Sequence, residues 1–227
     1  MLEKVERVTT DKVVAERLKQ WIIENNLQPD DRLPTEQQLS EELGVARHTL
    51  REGIKRLSQL GIVGSRAGSG LYISKVNFDN VAEYILFLKQ RGYISLDDIV
   101  SVRLSLECSV ARAAAQQGDG EHIAQLSRLV EKMDESWANN DFKSYVVHDV
   151  SFHMTLAEST GNLLFSGIIS ALRQVIQEHM SSLDETTVSN SLQQHKEILQ
   201  AVREHDYVLA EELMHKHLMD INTSITT

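Results

Sequence analysis

Three histidines and one aspartate lie on helical stripes that are otherwise apolar, and they are the residues with the clearest chemical potential. Asp149 and His153 are four positions apart, so in a helix their side chains lie one above the other. His195 and His217 each share an apolar stripe with aliphatic residues of two later helices. Imidazole nitrogens and a carboxylate oxygen suit a divalent transition metal. The pattern permits a metal site, and core histidines held only by hydrogen bonds are the open alternative.

Arg103 is a further polar residue on an apolar stripe, which it shares with Ile99, Leu106 and Val110. A buried guanidinium is unfavourable unless it is paired. Glu107 follows one helical turn later and offers a salt bridge, so a purely structural pair is one interpretation of Arg103.

Another group of residues has the chemistry to bind nucleic acid. Arg47, His48, Thr49 and Arg51 lie together at the start of a predicted helix, on the side away from its apolar residues. Donors of this kind can hold phosphates, and an arginine can also form two hydrogen bonds to guanine. Solvated arginines on a small helical core are the alternative interpretation.

The elements that position these donors form the outline of a helix-turn-helix. Thr35 and Gln38 have the spacing of a capping box at the start of the first helix, and Gly44 is suited to end it. The second helix follows at once, with Leu50 and Ile54 on its apolar face. Two short helices joined at a glycine predict a helix-turn-helix.

Two short strands are predicted next, Ile62-Val63 and Leu71 to Ile73. The glycine-rich segment between them forms a flexible tip that carries Arg66 and includes Gly68. A wing of this kind lies along the DNA backbone or in the minor groove.

The rest of the chain is predicted to be helical, with segments separated by glycine and asparagine clusters and by the polar run from Asp184 to Ser191. We expect helices near residues 79–90, 95–116, 120–138, 142–159, 163–182, 192–204 and 206–222. The fold class is therefore mainly α: an N-terminal winged helix-turn-helix followed by an all-α antiparallel bundle. The expected domains are residues 1–75, a linker with the first bundle helix at 76–94, and a helical domain at 95–227 that contains the four candidate metal ligands.

The net charge of −10 is unevenly distributed along the 227 residues. Residues 1–75 contain 12 Lys and Arg against 11 Asp and Glu, whereas residues 76–227 contain 11 against 22. Such a division fits a DNA-binding head on an acidic body. The single cysteine, Cys108, excludes an internal disulfide framework, and no apolar run is long enough for a membrane helix. We therefore expect a protein of the reducing cytoplasm with no membrane partner.

The segment LPTEQQLSEELGVARHTLREGIKRLSQLGIV, followed by RAGSGLYI, resembles the winged helix-turn-helix of the GntR family of bacterial transcriptional regulators. The resemblance implies DNA contacts by Arg47, Thr49, Arg51 and Gly68 of the wing. Where the family often has a DNA-contacting arginine this chain has Gln37, and it has Ala46 at a position that is commonly polar. The operator sequence therefore does not transfer from the family.

The segments RLSLE, DVSFHMTLAESTGN and HKEILQAVREHDYVLAEELMHKHL resemble the FCD ligand-binding domain of the FadR branch of that family. The resemblance implies that Asp149, His153, His195 and His217 are metal ligands and that Arg103 holds the carboxylate of a small organic acid. Zn is the expected metal, with Ni and Mn also compatible.

The resulting hypothesis is a metabolite-responsive regulator, usually a repressor in this family, that binds a palindromic DNA operator as a homodimer. One alternative is a metalloenzyme with a DNA-binding head, although no H-E-x-x-H motif or comparable acid–base pair is present. The other alternative is a metal-independent regulator whose helical domain binds a long acyl-CoA.

Overall fold

The computed structural model describes residues 10–66, 68, 70–180 and 185–225, and within them the chain forms ten helices and one two-stranded sheet. The chain divides into two compact units between Asn80 and Val81. The predicted fold class is confirmed. No helix among the described residues combines the length and the apolar character needed to cross a membrane.

The first unit contains three helices and a hairpin. They are α1 (Thr10–Glu24), α2 (Glu36–Leu43), α3 (Arg47–Gln59), β1 (Val63–Arg66) and β2 (Gly70–Ile73). The strands are antiparallel, with Val63 opposite Ile73 and Arg66 opposite Gly70. Buried aliphatic residues of all three helices and both strands form one core. This core fixes α3 in place, so its polar side faces outward.

Local sequence signals determine where α2 begins and ends. The Thr35 side chain accepts a hydrogen bond from the Gln38 backbone N–H, and the Gln38 side chain accepts one from the Thr35 backbone N–H. Gly44 ends the helix in the left-handed conformation at φ 63°, which glycine adopts without steric strain. The predicted capping box and helix stop are confirmed.

Helix α4 (Asp79–Gln90) spans the division, and the second unit continues with six helices. They are α5 (Leu96–Gln117), α6 (Gly120–Ala138), α7 (Phe142–Glu158), α8 (Leu163–Met180), α9 (Glu185–Arg203) and α10 (Tyr207–Ile225). Helix α5 packs against α7, α8, α9 and α10. Its alanines Ala111, Ala114 and Ala115 are fully buried, which allows neighbouring helices to approach closely.

Helix α9 begins earlier than predicted. The polar run from Asp184 to Ser191 was expected to separate two helices, but α9 starts at Glu185 and includes most of that run; Asp184 lies outside the described residues. The physical reason is burial of one side of this segment. Val188 is in the core, and the Tyr145 hydroxyl donates to Ser191 Oγ at 3.2 Å. A polar serine favours a loop in a prediction from sequence. Ser191 nevertheless lies in a packed helix, where its hydroxyl accepts a buried hydrogen bond.

Candidate metal centre and nucleic-acid interface

The four predicted metal ligands converge inside the second unit. Helix α7 supplies Asp149 and His153, α9 supplies His195, and α10 supplies His217. All four residues are buried, and one ligand atom from each lies within 4.8 Å of the other three. The Nε2 atoms of His153 and His195 are 3.3 Å apart, and Asp149 Oδ1 is 3.3 Å from His195 Nε2. These groups could hold a metal ion.

The other ring nitrogen of each histidine contacts an oxygen outside the cluster. Nδ1 of His195 lies 2.7 Å from the Ser191 carbonyl oxygen, and Nδ1 of His217 lies 3.1 Å from Gln194 Oε1. These oxygens can only accept a hydrogen bond, so we assign the proton of both rings to Nδ1. The Nε2 lone pairs are then free to act as ligands.

His153 is oriented by a carboxylate. Its Nδ1 lies 2.6 Å from Glu107 Oε2 on α5, although the angle departs from that of an ideal hydrogen bond. A carboxylate beside the second ring nitrogen is a common arrangement behind metal-binding histidines, because it fixes the tautomer and makes the ring a stronger donor.

Electrostatics in the cluster favour binding of a cation. Burial lowers the pKa of His195 to about 4, an effect that the nearby Asp149 carboxylate partly opposes. Burial and the neighbouring rings of His195 and His153 lower the pKa of His217 well below its usual value. Both rings are therefore neutral at physiological pH. Within the described residues, neither carboxylate oxygen of Asp149 has a hydrogen-bond partner, and neither has Nε2 of His217, so buried lone pairs without partners face one another. The set of residues fits a divalent metal ion.

Arg103 pairs with Glu107, as the structural interpretation of the sequence anticipated. Arg103 Nε donates to Glu107 Oε1 at 2.6 Å, and both side chains are buried. Burial alone would raise the pKa of Glu107, but the charge of Arg103 and the contact with His153 outweigh it and lower that pKa to about 2. Only Nε of Arg103 takes part in this pair, and no group in the described part of the chain bonds to its two Nη nitrogens.

Sequence reasoning missed three supporting contacts of the cluster. Ser191 and Gln194 were not identified, and Glu107 was linked to Arg103 but not to His153. Gln194 is itself held, because its Nε2 donates to Asp220 Oδ2 at 2.6 Å. Only the i,i+4 spacing of Ser191 and His195 was visible as a signal, since the other contacts join different helices.

The predicted DNA-binding residues of α3 lie at its exposed N-terminal end. Helix α3 begins at Arg47, and Arg47, His48 and Arg51 are exposed, whereas Thr49 is half-buried and its hydroxyl lies 3.2 Å from His48 Nε2. Ala46 at the N-cap provides no side-chain hydrogen bond. Backbone N–H groups of the first turn are therefore available to an anion such as a phosphate.

Arg51 is held by a residue of the preceding helix. Its Nε donates to Glu36 Oε2 at 2.8 Å in a largely exposed ion pair. Gln37, next to Glu36, is exposed and donates to Glu41 Oε1 at 3.1 Å. The Arg51–Glu36 ion pair connects the start of α2 with the exposed side of α3, whereas the Gln37 contact lies within α2.

Arg66 differs from its predicted position, because it is the last residue of β1 rather than part of the flexible tip. Its guanidinium lies 4.1 Å from the centre of the Tyr72 ring and donates to Asp30 Oδ1 at 3.0 Å. The Tyr72 ring in turn covers Gly64, where an added Cβ would clash with the ring. Gly68, at the tip, is exposed with φ 77°. The wing thus presents a pre-positioned arginine beside a glycine turn.

Two family models match this chain. The model described as "Bacterial regulatory proteins, gntR family" matches residues 10–73, and that of the FCD domain matches residues 98–220. The first match covers the helix-turn-helix and wing, and the second covers α5 to α10 and thus all four candidate metal ligands.

This chain is similar to a known regulator of transcription and to solved structures of related proteins. The HTH-type transcriptional repressor NanR of Escherichia coli K12 is 28% identical over 227 residues, which cover 96% of this chain and 85% of the relative. A structure described as Streptococcus agalactiae GntR has a TM-score of 0.77 and 30% identity, covering 94% of this chain and 99% of that one. Escherichia coli McbR/YncC, at 15% identity and a TM-score of 0.52 over 96% and 98% of the two chains, shares the fold.

Proposed function

This chain belongs to the GntR family of bacterial DNA-binding transcriptional regulators and carries an FCD domain, and we propose that it is a repressor controlled by a small carboxylate bound beside a divalent metal. One observation carries the metal-dependent part of the proposal: four buried ligand atoms from three helices of the FCD domain lie within 4.8 Å of one another. The matched relatives are regulators of transcription rather than enzymes.

The DNA-binding part of the proposal rests on the exposed end of α3 and on the wing. Arg47 and Arg51 would contact the major groove, supported by Thr49, His48 and Gln37. Arg66 and Gly68 would approach the adjacent backbone or minor groove.

A single head contacts only half of a symmetric site, so we propose a homodimer on a palindromic operator. The similarity to the repressor NanR of Escherichia coli supports repression rather than activation of transcription. Burial raises the pKa of Cys108 to about 11, which keeps it as an unreactive thiol and agrees with a cytoplasmic protein.

The metal, once bound by Asp149, His153, His195 and His217, would connect α7, α9 and α10 and supply a positive charge for a carboxylate. Zn is the first candidate, and Ni or Mn would also accept this donor set. Arg103 would bind the same carboxylate through its unused Nη nitrogens, because a guanidinium can donate two parallel hydrogen bonds. A small hydroxy- or keto-acid fits this pair of sites better than an acyl-CoA, whose long chain would not need a buried set of metal ligands.

The decisive experiment first selects genomic DNA fragments that bind the purified protein. It then measures the affinity of wild type and of each variant for these fragments. Arg47→Ala and Arg51→Ala should each weaken binding by about 1–3 kcal/mol if their contacts are bidentate to bases. Arg128→Ala, a change of the same residue type at an exposed position of α6, is the matched control. Equal affinities for all three variants would show that the DNA-binding surface has been wrongly assigned.

A further inference from the structure

Glu107 is a buried carboxylate that contacts both a candidate metal ligand and the candidate effector arginine. Its Oε1 accepts from Arg103 Nε at 2.6 Å, and its Oε2 lies 2.6 Å from His153 Nδ1. The side chain is 2% exposed, so solvent does not screen either contact. Arg103, Glu107 and His153 therefore form a continuous row of polar groups in the core.

We propose that Glu107 is a positioning residue that couples metal binding at His153 to anion binding at Arg103, a deepening of the proposed function on which it rests. Because Oε2 faces Nδ1, His153 keeps its proton there and directs Nε2 toward the other ligands. Because Oε1 engages only Nε of Arg103, the two Nη nitrogens stay available to a carboxylate.

Metal binding and anion binding should strengthen each other, because His153 and Arg103 share the single negative charge of Glu107. A metal on His153 Nε2 makes the Nδ1–H a stronger donor, which draws Glu107 toward His153 and leaves the charge of Arg103 less compensated. Arg103 then attracts an anion more strongly. An anion on Arg103 conversely releases Glu107 to support His153, so the two ligands increase each other's affinity, as linkage requires.

Substitution of Glu107 by glutamine separates this role from simple core packing. Glutamine has nearly the same shape, but it offers one acceptor where two donors need one each. The charged guanidinium of Arg103 binds the amide oxygen more strongly than a neutral ring does, so the amide NH2 faces His153 Nδ1 and His153 moves its proton to Nε2. Glu211→Gln is the matched control, because Glu211 pairs with Arg112 through a 2.7 Å contact away from the cluster.

The first measurement uses metal-free protein and does not depend on the proposed metal site. Long-range ¹H–¹⁵N spectra of the histidine rings should show the Nδ1–H form of His153 in wild type and in Glu211→Gln. In Glu107→Gln, His153 should move to the Nε2–H form. An unchanged tautomer in Glu107→Gln would overturn the positioning role even if the protein binds metal and DNA as proposed.

The second measurement is Zn²⁺ binding with and without acetate as the anion probe. Glu107→Gln should bind Zn²⁺ about 10–100-fold more weakly than wild type. Acetate should tighten Zn²⁺ binding in wild type and in Glu211→Gln, and this gain should disappear in Glu107→Gln and in Arg103→Met. An undiminished gain in Glu107→Gln would overturn the coupling. Absence of Zn²⁺ binding in wild type would instead contradict the proposed metal site, which the tautomer measurement distinguishes.

Discussion

Replacing Asp149 by asparagine should stabilise the metal-free protein and at the same time remove its response to metal. Asp149 is 1% exposed, and neither of its carboxylate oxygens has a hydrogen-bond partner among the residues that the structure describes. Without a metal it is therefore a buried charge that faces the neutral rings of His195 and His217. A residue of this kind is retained for binding and not for folding.

The expected size follows from the contacts of Asp149. A buried polar group without a partner costs about 1–3 kcal/mol, and more when it is charged. Asparagine removes the charge, and its Nδ2 can donate to the nearby His195 Nε2, which lies 3.3 Å from Oδ1. We expect Asp149→Asn to raise the unfolding free energy of metal-free protein by about 2 kcal/mol, or the melting temperature by about 4–8 °C.

Bound metal should reverse the order of stability, so that wild type becomes more stable than Asp149→Asn. At a free Zn²⁺ concentration about 1,000 times its dissociation constant, wild type gains about 4 kcal/mol by mass action, and Asp149→Asn should lose most of that gain. Differential scanning calorimetry near neutral pH, with chelator and with Zn²⁺, measures all four states. Asp134→Asn is the control, because Asp134 forms an exposed ion pair with Lys196. A less stable metal-free Asp149→Asn that keeps the full Zn²⁺ response would refute the reasoning.

Three further outcomes are expected. The pKa of His195 is lowered to about 4, so below its ordinary pKa of about 6.5 the unfolded chain binds more protons than the folded protein. As pH falls from about 6.5 to about 4, His195 alone should cost the metal-free protein about 3 kcal/mol, and His217, whose pKa is also lowered, adds to this loss. Unfolding titrations should show a smaller loss for His195→Gln and the full loss for His215→Gln, an exposed control. Thr35→Ala removes the α2 cap and should destabilise the first unit by about 1 kcal/mol in urea titrations, whereas an unchanged midpoint would contradict the cap. Light scattering should give twice the chain mass of 25.7 kDa, and a monomer mass with and without operator would contradict the homodimer.

The sequence was most informative where one helix face or one turn determines the structure. Helix α6 has its predicted bounds, 120–138, because Asp119-Gly120 and Asn139-Asn140 enclose a regular apolar stripe. The placement of Asp149 and His153 on one side of α7 likewise needs only a spacing of four. Such features depend on neighbours in the chain, which a sequence displays directly.

The supporting contacts of the metal cluster depend on distances between helices, and no sequence pattern contains them. Glu107 and His153 are on α5 and α7, and Gln194 and His217 are on α9 and α10. Polarity also misled the prediction for the start of α9, since Ser191 is polar and nevertheless buried. Predictions from polarity fail where a polar group finds its partner inside the core.

The donor set described for the metal cluster has a practical consequence for work on this protein. Three imidazoles and one carboxylate follow the general order of affinities in which Cu²⁺ exceeds Ni²⁺ and Zn²⁺, and Mn²⁺ is the weakest. Such ligands discriminate poorly between metals by affinity alone, so the ions that the host cell supplies would decide which metal the cluster binds. Protein overproduced in rich medium would then carry the metal that its host has in excess. The native metal would be identified by isolating the protein at its natural abundance from its own cell.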